Sequence, residues 1–264
     1  MKQYIYGLLL WGVAVLTMVS CQDYETDEYQ VGKVSEYYEG TLYDYLADKS
    51  AHPNVTFDSL LFLADRLPAL KDSLQGRKVL TLFAVTDKSF ELAFRGLNLY
   101  RNAYGKGRHL AMEDLLIEPF TVIDTIVRQV STEEYDTVYV SRHYDYRKQL
   151  DSMVCCYMFD GGYSMSDIQK LDATEIPCIS YGHLMRLEAG RGNASGAEGL
   201  GARYMCLIET WNSKVTTTWV KAGVENPDIK TTNGWLHILS GEHEFGFNGI
   251  EQTFYDYGNE KSKK

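Results

Sequence analysis

The sequence predicts an α+β fold, with helices in the first half of the chain and strands in the second. Apolar residues recur at helical spacing between residues 57 and 74, and residues 80–97 change from a strand pattern to a helical one. From residue 176 onward, runs rich in β-branched and aromatic residues are separated by turns containing glycine and asparagine. This order is typical of α+β proteins, because a parallel α/β sheet requires strands and helices to alternate.

The first 21 residues are predicted to be a secretory signal peptide. Lys2 gives a basic start, and residues 4–19 contain no charged side chain. The ending Met18-Val-Ser-Cys21 resembles a bacterial lipobox, which implies that Cys21 carries acyl chains such as palmitate and becomes the mature N-terminus. Each buried CH₂ of such a chain contributes roughly 0.8 kcal/mol to anchoring. The alternative is an ordinary signal peptide followed by an incidental cysteine.

Residues 22–39 are predicted to form a flexible acidic tether. Gln22–Glu28 contains no apolar pattern that could offset the entropy lost on ordering the backbone. An acidic tract directly after a lipidated cysteine resembles the export signal of surface lipoproteins in some Gram-negative bacteria. The resemblance implies a protein anchored by lipid to the outer membrane and exposed at the cell surface. The alternative is a solvated linker that faces the periplasm.

Residues 40–250 are predicted to form the folded domain, which begins with helices. A short helix is expected within residues 40–49. A longer apolar stripe covers residues 57–74, where Pro68 should kink the helix or split it in two.

A strand followed directly by a helix is predicted next. Residues 80–85 have the composition of a buried strand, and either Thr86 or Asp87 can cap the helix that follows. The apolar residues of this helix recur at positions i, i+3, i+4 and i+7: Phe90, Ala93, Phe94 and Leu97.

Residues 98–149 are predicted to be an insertion into the domain. Leu99–His109 is expected to be a mobile and mildly basic loop. Two runs of β-like composition, Thr121–Val130 and Thr137–Val140, should pair as a hairpin around Ser131–Glu134.

After the insertion, the sequence predicts two helices and then mainly strands. Apolar spacing from Leu150 to Met158 indicates a helix that ends at Gly161-Gly162, and Ser164–Leu171 has the pattern of a small capped helix. Turns are predicted at Asn226-Pro-Asp228 and at Thr232-Asn-Gly234. Residues 251–264 are predicted to be a polar C-terminal tail. The strand-like runs are Tyr181–Ala189, Ala202–Thr210, Lys214–Val224 and Trp235–Leu239.

Two stretches in the right order resemble the signatures of fasciclin-type domains. Thr81–Phe90 is similar to the first signature, usually Thr-Val-Phe-Ala-Pro-Thr-Asp-x-Ala-Phe, and Thr232–Leu239 to the second, usually Thr-Asn-Gly-Val-Ile-His-Val-Ile. Between them, Leu150–Gly161 is similar to the helix that leads to the family's Tyr-His-x-x-Pro-Gly. The resemblance covers residues 40–245. It implies a β-sandwich wedge with flanking α-helices in one domain.

The chain departs from the family pattern at several positions. Val85 and Asp160 stand where the family usually has proline, and Cys156-Tyr157 stands where many members have Tyr-His. The Tyr-His pair is associated with adhesive members, so that activity does not transfer directly. The resemblance to bacterial surface lipoproteins implies a non-catalytic adhesion or binding module beside an outer-membrane glycan-uptake system. Its partner is then a polysaccharide or an outer-membrane protein complex. The alternatives are a structural accessory that binds only envelope proteins, and a hydrolase with an unrecognised site.

No enzyme constellation or cofactor motif is found in the sequence. The glycine-rich stretch Gly190–Gly201 matches neither a nucleophile elbow nor a phosphate-binding loop. His237 and His243, with Glu242 and Glu244 nearby, lack the spacing of a metal site. His237 lies between two apolar residues and is predicted to be a hydrogen-bonded structural histidine. We therefore expect no catalytic residue, no metal and no cofactor.

Charge and cysteine content narrow the possible partners. The net charge of −10 argues against nucleic acid, which selects basic surfaces. The cysteines after Cys21 have no zinc-ligand spacing, and we expect them to be buried small hydrophobes, although an oxidising compartment permits a disulfide.

Aromatic content gives one functional hint. The 20 tyrosines and 4 tryptophans exceed what the core needs, and exposed aromatic rings stack on sugars and anchor protein interfaces. The alternative for each ring is packing in the core. The candidate ligand contacts are Tyr100, Tyr104, Tyr144 and Tyr146 in the insertion, with Trp211 and Trp219 near the strands.

Overall fold

The computed structural model describes residues 36–258, except residues 130–134, 180 and 195. Cys21, the predicted signal peptide and nearly all of the predicted tether lie outside the described residues. The described residues form a mixed α/β structure in which several helices pack on an extensive sheet. This agrees with the predicted combination of helices and strands.

Three helices precede the first long strand. After strand β1 (Glu36–Tyr37) come α1 (Leu42–Ala47), α2 (Asp58–Arg66) and α3 (Pro68–Gln75). Pro68 lies in the first turn of α3, where its missing N–H breaks no hydrogen bond. The predicted split of this helical region is therefore confirmed.

The predicted junction of strand and helix is also confirmed. Strand β2 (Leu80–Ala84) is buried along its whole length, and helix α4 (Asp87–Ala103) follows it. The Thr86 hydroxyl accepts a hydrogen bond from the Ser89 amide and so caps α4.

Asp87 caps a different helix from the one that it begins. Its carboxylate accepts hydrogen bonds from the backbone amides of Asp58 (3.1 Å) and Ser59 (2.7 Å) in the first turn of α2. Burial opposes ionisation of this carboxyl, but hydrogen bonds from Thr56, Ser59 and Asp58 outweigh it and lower the pKa of Asp87. Asp87 therefore ties α2 to α4.

We expect Asp87→Ala to lower the free energy of unfolding by about 1–2 kcal/mol, because the first turn of α2 loses its acceptor. Urea denaturation measures this cost. The exposed neighbour Lys88 provides a matched control, since Lys88→Ala should change stability by less than about 0.5 kcal/mol. Equal stability of the two variants would contradict the capping role.

Helix α4 is longer than the sequence indicated. Leu99–Ala103, predicted to be part of a mobile loop, forms its last turns. The reason is that Arg101 is buried, where its guanidinium donates hydrogen bonds to the carbonyls of Tyr255 (2.7 Å) and Tyr257 (3.0 Å). This long-range contact has no local signal in the sequence.

The middle of the chain contains a separate hairpin. After the short helix α5 (Met112–Leu115), strands β3 (Phe120–Gln129) and β4 (Tyr135–Tyr144) pair antiparallel along their whole length. The predicted hairpin is confirmed, and β4 is longer than the β-like run Thr137–Val140 from which it was predicted.

The helix predicted from Leu150 to Met158 ends earlier than expected. Helix α6 covers Tyr146–Cys155, and Met158–Asp160 forms strand β5, which pairs antiparallel with β2. The prediction of helix at Tyr157 and Met158 is wrong because pairing with the buried strand β2 overrides the helical spacing of their apolar side chains. The Phe83 amide donates to the Tyr157 carbonyl at 2.9 Å.

Most of the remaining elements are strands. Helix α7 (Met165–Lys170) is the predicted small capped helix, and a 3₁₀ turn at Thr216–Thr218 replaces the start of the strand predicted from Lys214. A last helix, α8 (Ile250–Phe254), occupies the start of the predicted polar tail, and Phe254 is fully buried. The strands are β6 (Glu175–Pro177), β7 (Leu184–Arg191), β8 (Arg203–Glu209), β9 (Val220–Thr231) and β10 (Gly234–Leu239).

The main sheet has the strand order β5-β2-β10-β9-β8-β7-β6, and β1 pairs beside β9. Strand β2 is parallel to β10, and β1 is parallel to β9, whereas the other neighbours are antiparallel. The sequence predicted no parallel pairing. The two stretches that resemble family signatures are therefore hydrogen-bonded neighbours, with Leu80 opposite Gly234.

Strand β9 joins the two halves of the sheet. Its first residues pair with β8, and its later residues pair with β10. The turn predicted at Asn226-Pro-Asp228 is wrong, because these residues lie inside β9. These turn-forming residues instead make the pairing of β9 with β10 irregular. Asp228 has φ +63°, and its amide donates to Nδ1 of His237 at 3.0 Å.

Within the described ranges, none of the helices combines the length and the apolar character needed to cross a lipid bilayer.

Candidate functional site

An open pocket of about 440 Å³, here called the Trp211 pocket, lies where five segments of the chain meet. Helix α6 contributes its C-terminal end, and the segments before β7 and after β8 contribute the polar wall. The turn after β10 and helix α8 complete it. Its lining residues are Ser152, Met153, Cys156, Tyr181, His183, Glu209, Trp211, Gly246, Phe247, Gly249, Gln252 and Thr253.

Glu209 organises the polar wall of the pocket. It is only 3% exposed, and its carboxylate contacts Nε2 of His183 at 2.6 Å. Its second oxygen accepts a hydrogen bond from the Trp211 amide at 2.7 Å. A buried carboxylate requires such partners, because an unpaired one would be costly to bury. The carboxylate therefore fixes both the imidazole and the backbone that presents Trp211.

Trp211 presents the largest aromatic surface at this site, since 49% of the residue is exposed. Its backbone has φ +53°, as does that of Asn212, a left-handed conformation that is uncommon for residues other than glycine. Gly249 lies beside the Trp211 ring, since a Cβ on it would be in van der Waals contact with the indole at 3.4 Å. The backbone of Trp211 thus has a defined conformation that places a half-exposed indole at the pocket.

The opposite wall is fixed by a buried hydrogen-bond chain. The Gly246 amide donates to the Tyr157 hydroxyl at 2.8 Å, and this hydroxyl lies 2.8 Å from Nε2 of His243. The Tyr157 ring stacks on Phe247 with 5.1 Å between centroids. Burial lowers the pKa of His243 to about 4, so the neutral imidazole accepts the tyrosine proton near pH 7. These contacts hold the turn that carries Phe247 against the pocket.

Two thiols lie next to the polar wall. The Cys156 thiol donates to the Ser152 carbonyl at 3.4 Å. The neighbouring Cys156 thiol lowers the pKa of Cys178, even though burial opposes this. In the described part of the chain, no hydrogen bond joins the His183 ring to either thiol, and its Nε2 lies 2.6 Å from the Glu209 carboxylate.

The four tyrosines predicted as ligand contacts do not meet in one concave site. Tyr100 and Tyr104 are exposed near the end of α4, with 4.7 Å between their ring centroids. Tyr144 is partly buried at the base of the hairpin. Tyr146 is only 5% exposed and packs on Tyr257 in the core, so its ring does not face solvent.

The two tryptophans predicted as ligand contacts also lie in different environments, and His237 lies in the core. Trp211 lines the pocket, whereas Trp219 is partly buried, stacks near the Arg186 guanidinium (5.1 Å) and donates from Nε1 to the Ser213 carbonyl. His237 is fully buried, and its Nε2 lies 2.8 Å from the Tyr163 carbonyl. The prediction of a hydrogen-bonded structural histidine at position 237 is confirmed.

The histidines near the second signature-like stretch do not converge on a metal site. Across residues 36–258, outside the gaps, no cluster of three or more His, Cys, Asp or Glu side chains could hold a metal ion. His237 and His243 each bond a different partner, the Asp228 amide and the Tyr157 hydroxyl.

Sequence reasoning missed most of the pocket. His183, Glu209 and Phe247 carry no recognisable motif, and they are brought together from segments more than 25 residues apart. One signal was present: Trp211-Asn212 follows the strand-like run Ala202–Thr210, and an aromatic residue at a strand end is a candidate binding residue.

Comparisons with known proteins find likenesses among solved structures. No family model matches the sequence, and no curated protein matches it. Among solved structures, the chain is similar to a FAS1 domain pair from the insect cell adhesion molecule Fasciclin I, with 14% identity and a TM-score of 0.41. The match covers 76% of this chain and 49% of that chain, so this chain spans about half the length of the solved structure. Fold and site together define a mixed α/β domain with an open pocket lined by aromatic residues.

Proposed function

We propose that this protein is a non-catalytic binding module that captures a neutral carbohydrate in the Trp211 pocket. The observation that carries the proposal is the half-exposed indole of Trp211. The backbone amide of the same residue donates a hydrogen bond to the buried carboxylate of Glu209. A rigid aromatic ring covers the apolar face of a sugar with little loss of conformational entropy. None of the four insertion tyrosines that the sequence favoured lines the proposed site.

The rest of the pocket has the chemistry that sugar hydroxyls require. Gln252, Thr253, Ser152 and His183 place amide, hydroxyl and imidazole groups on its rim. An open, partly apolar pocket with a few polar groups at its edge is the usual form of a small-ligand site.

We further propose that the domain is of the fasciclin type and is held at the outer surface of an outer membrane through lipid on Cys21. Support for the first part is that the two signature-like stretches form adjacent parallel strands, β2 and β10. Support for the second is the lipobox-like ending of the predicted signal peptide. Mass spectrometry of the protein from its own cells would detect acyl chains on Cys21, and recovery of an unmodified chain with residues 1–21 intact would contradict the anchor.

Trp211→Ala is expected to weaken carbohydrate binding by about thirtyfold or more, because removing a central aromatic anchor costs about 2 kcal/mol. The measurement is affinity electrophoresis of the full chain against a panel of neutral polysaccharides, followed by titration with those that retard it. Trp219→Ala is the matched control, since Trp219 is a tryptophan outside the pocket. Retardation that Trp219→Ala reduces as much as Trp211→Ala, or no retardation by any polysaccharide, would contradict the proposal.

The hydrolase alternative is tested on the same protein. The assay measures release of reducing sugar from a polysaccharide and hydrolysis of a model ester. Turnover by the unmodified chain that is lost in Cys156→Ser, while binding is retained, would favour catalysis at the thiol side of the pocket over simple capture. We expect no turnover in either protein.

A further inference from the structure

The hairpin of β3 and β4 is a ribbon of only two strands. Its pairing runs from Phe120 opposite Tyr144 to Gln129 opposite Tyr135, and within the described residues neither strand pairs with a third. An isolated two-stranded ribbon is marginally stable in water, and each unpaired edge presents free backbone donors and acceptors. A ribbon of this length therefore gains stability if another strand pairs with one of its edges.

One face of the ribbon carries four exposed apolar side chains among polar ones, and no Asp, Glu, Lys or Arg. Because Cα partners in an antiparallel pair lie on the same face, Ile123, Val127, Tyr135 and Tyr139 share it. They are 67%, 62%, 63% and 71% exposed, respectively. The charged side chains of Arg128, Asp136 and Arg142 belong to the other face by the same alternation. A contiguous exposed patch of this kind marks an interaction surface.

The sequence of β4 is complementary to itself when two copies run antiparallel about Tyr139. In that register Val138 meets Val140 of a second copy, and Tyr139 meets its own equivalent. Asp136 meets Arg142 of the second copy, and this contact occurs twice because of the twofold symmetry. Opposite charges that face each other across a strand pair are favourable, whereas like charges are not.

We propose that two copies of this protein associate through β4, so that two hairpins form one four-stranded sheet. The net charge of −10 makes two copies of the chain repel each other overall, whereas this edge offers matched charges beside a face without Asp, Glu, Lys or Arg. The contact is isologous and closes after two copies, since β4 has one edge that pairs with no strand in the described part of the chain. This association does not depend on carbohydrate binding at the Trp211 pocket.

The test uses two charge variants of the full chain in mild detergent, analysed by sedimentation and light scattering. Asp136→Arg places two arginines in each contact, and Arg142→Asp places two aspartates. Each variant alone should dissociate roughly tenfold more readily than the unmodified chain. An equal mixture of the two variants should regain the dimer, because every charged contact of the mixed pair joins an arginine of the first variant to an aspartate of the second.

The mixing experiment separates association from folding. Asp136 lies opposite Arg128 within the hairpin, so Asp136→Arg could also loosen the ribbon, but mixing would not repair a folding defect. A monomeric unmodified chain at micromolar concentration, or a mixture no more dimeric than its components, would overturn the proposal.

Cross-linking provides a second, independent readout. Tyr139→Cys places a thiol on the proposed twofold axis and should give a disulfide-linked dimer on mild oxidation, measured against the unmodified chain with its native cysteines. Thr125 is the matched control, because it pairs with Tyr139 on the same face but lies on β3, away from the axis. Equal cross-linking of Thr125→Cys and Tyr139→Cys would contradict pairing through β4.

Discussion

Replacing Gly234 with alanine is expected to destabilise the protein by about 3 kcal/mol or more, the upper end of what overpacking causes. A Cβ on Gly234 would lie 1.9 Å from the carbonyl oxygen of Leu80. The oxygen belongs to the backbone of β2, the buried strand with which β10 pairs in parallel, so no side-chain rotation relieves the clash. Chemical denaturation followed by circular dichroism measures the loss.

Gly223 supplies the matched control for this prediction. It also lies in a strand of the same sheet, β9, but a Cβ on it would meet no atom within 4 Å. Gly223→Ala should therefore be neutral or slightly stabilising, because alanine lowers the entropy of the unfolded chain. Similar stabilities of the two alanine variants would show that the backbone at Gly234 can move away from Leu80.

The residue before Gly234 explains why this turn joins so many elements. Asn233 is 4% exposed, and its amide donates to the carbonyls of Leu74 (2.9 Å) and Gly76 (2.9 Å). Its carbonyl oxygen accepts from the Leu42 amide at 2.8 Å. One side chain thus satisfies buried backbone groups at the start of α1 and the end of α3, which is a reason for asparagine that the turn alone does not supply.

Local signals in the sequence predicted the elements that local chemistry controls. The Thr86 cap, the proline at the start of α3 and the small capped helix α7 all depend on residues within one or two turns. The predictions failed where distant contacts decide. Tyr157 fits the helical spacing but lies outside the helix, because its carbonyl accepts a hydrogen bond from the Phe83 amide. Arg101 stabilises the last turns of α4 by donating hydrogen bonds to carbonyls more than 150 residues away in the sequence.

The candidate site shows the same limit more strongly. Trp211 could be singled out from composition, but nothing near it in sequence indicates that Glu209 would be buried against His183. The Phe247 wall depends on Tyr157 and His243, which are 86 residues apart in sequence. A pocket assembled from segments without motifs becomes visible only when the sheet order and the turn conformations are known.

Lowering the pH from about 6.5 to 4 is expected to destabilise the protein through His243 by about 3 kcal/mol. Burial lowers the pKa of His243 to about 4 in the folded chain, from an ordinary value near 6.5. Between these values the unfolded chain binds a proton that the folded chain does not, so unfolding becomes more favourable as pH falls. The stabilising effect of the neutral imidazole is complete above about pH 6.5 and is lost as pH falls toward 4. Burial also lowers the pKa of His237, which acts in the same direction.

Urea denaturation of the unmodified chain and of His243→Gln at several pH values between 7.5 and 4.5 isolates this contribution. Glutamine keeps a side-chain acceptor near the Tyr157 hydroxyl but does not titrate, so its stability should fall less steeply over this window. Glu244 has a raised pKa, mainly through burial, and opposes the trend, but it is present in both proteins and cancels in the difference. Parallel pH profiles for the two proteins would contradict the role assigned to His243.

Protonation of His243 should also alter the wall of the Trp211 pocket that carries Phe247, at a pH where the protein is still folded. A proton on Nε2 removes the acceptor for the Tyr157 hydroxyl, and this hydroxyl receives the Gly246 amide next to Phe247. Loosening of that turn would move one wall of the pocket while Glu209 continues to hold Trp211. Because the pKa of His243 in the folded chain is about 4, carbohydrate binding by the unmodified chain is expected to weaken between about pH 5 and about pH 3.5, at temperatures where circular dichroism still shows the folded state. Binding that stays constant until the protein unfolds would show that the Phe247 wall does not take part in the site.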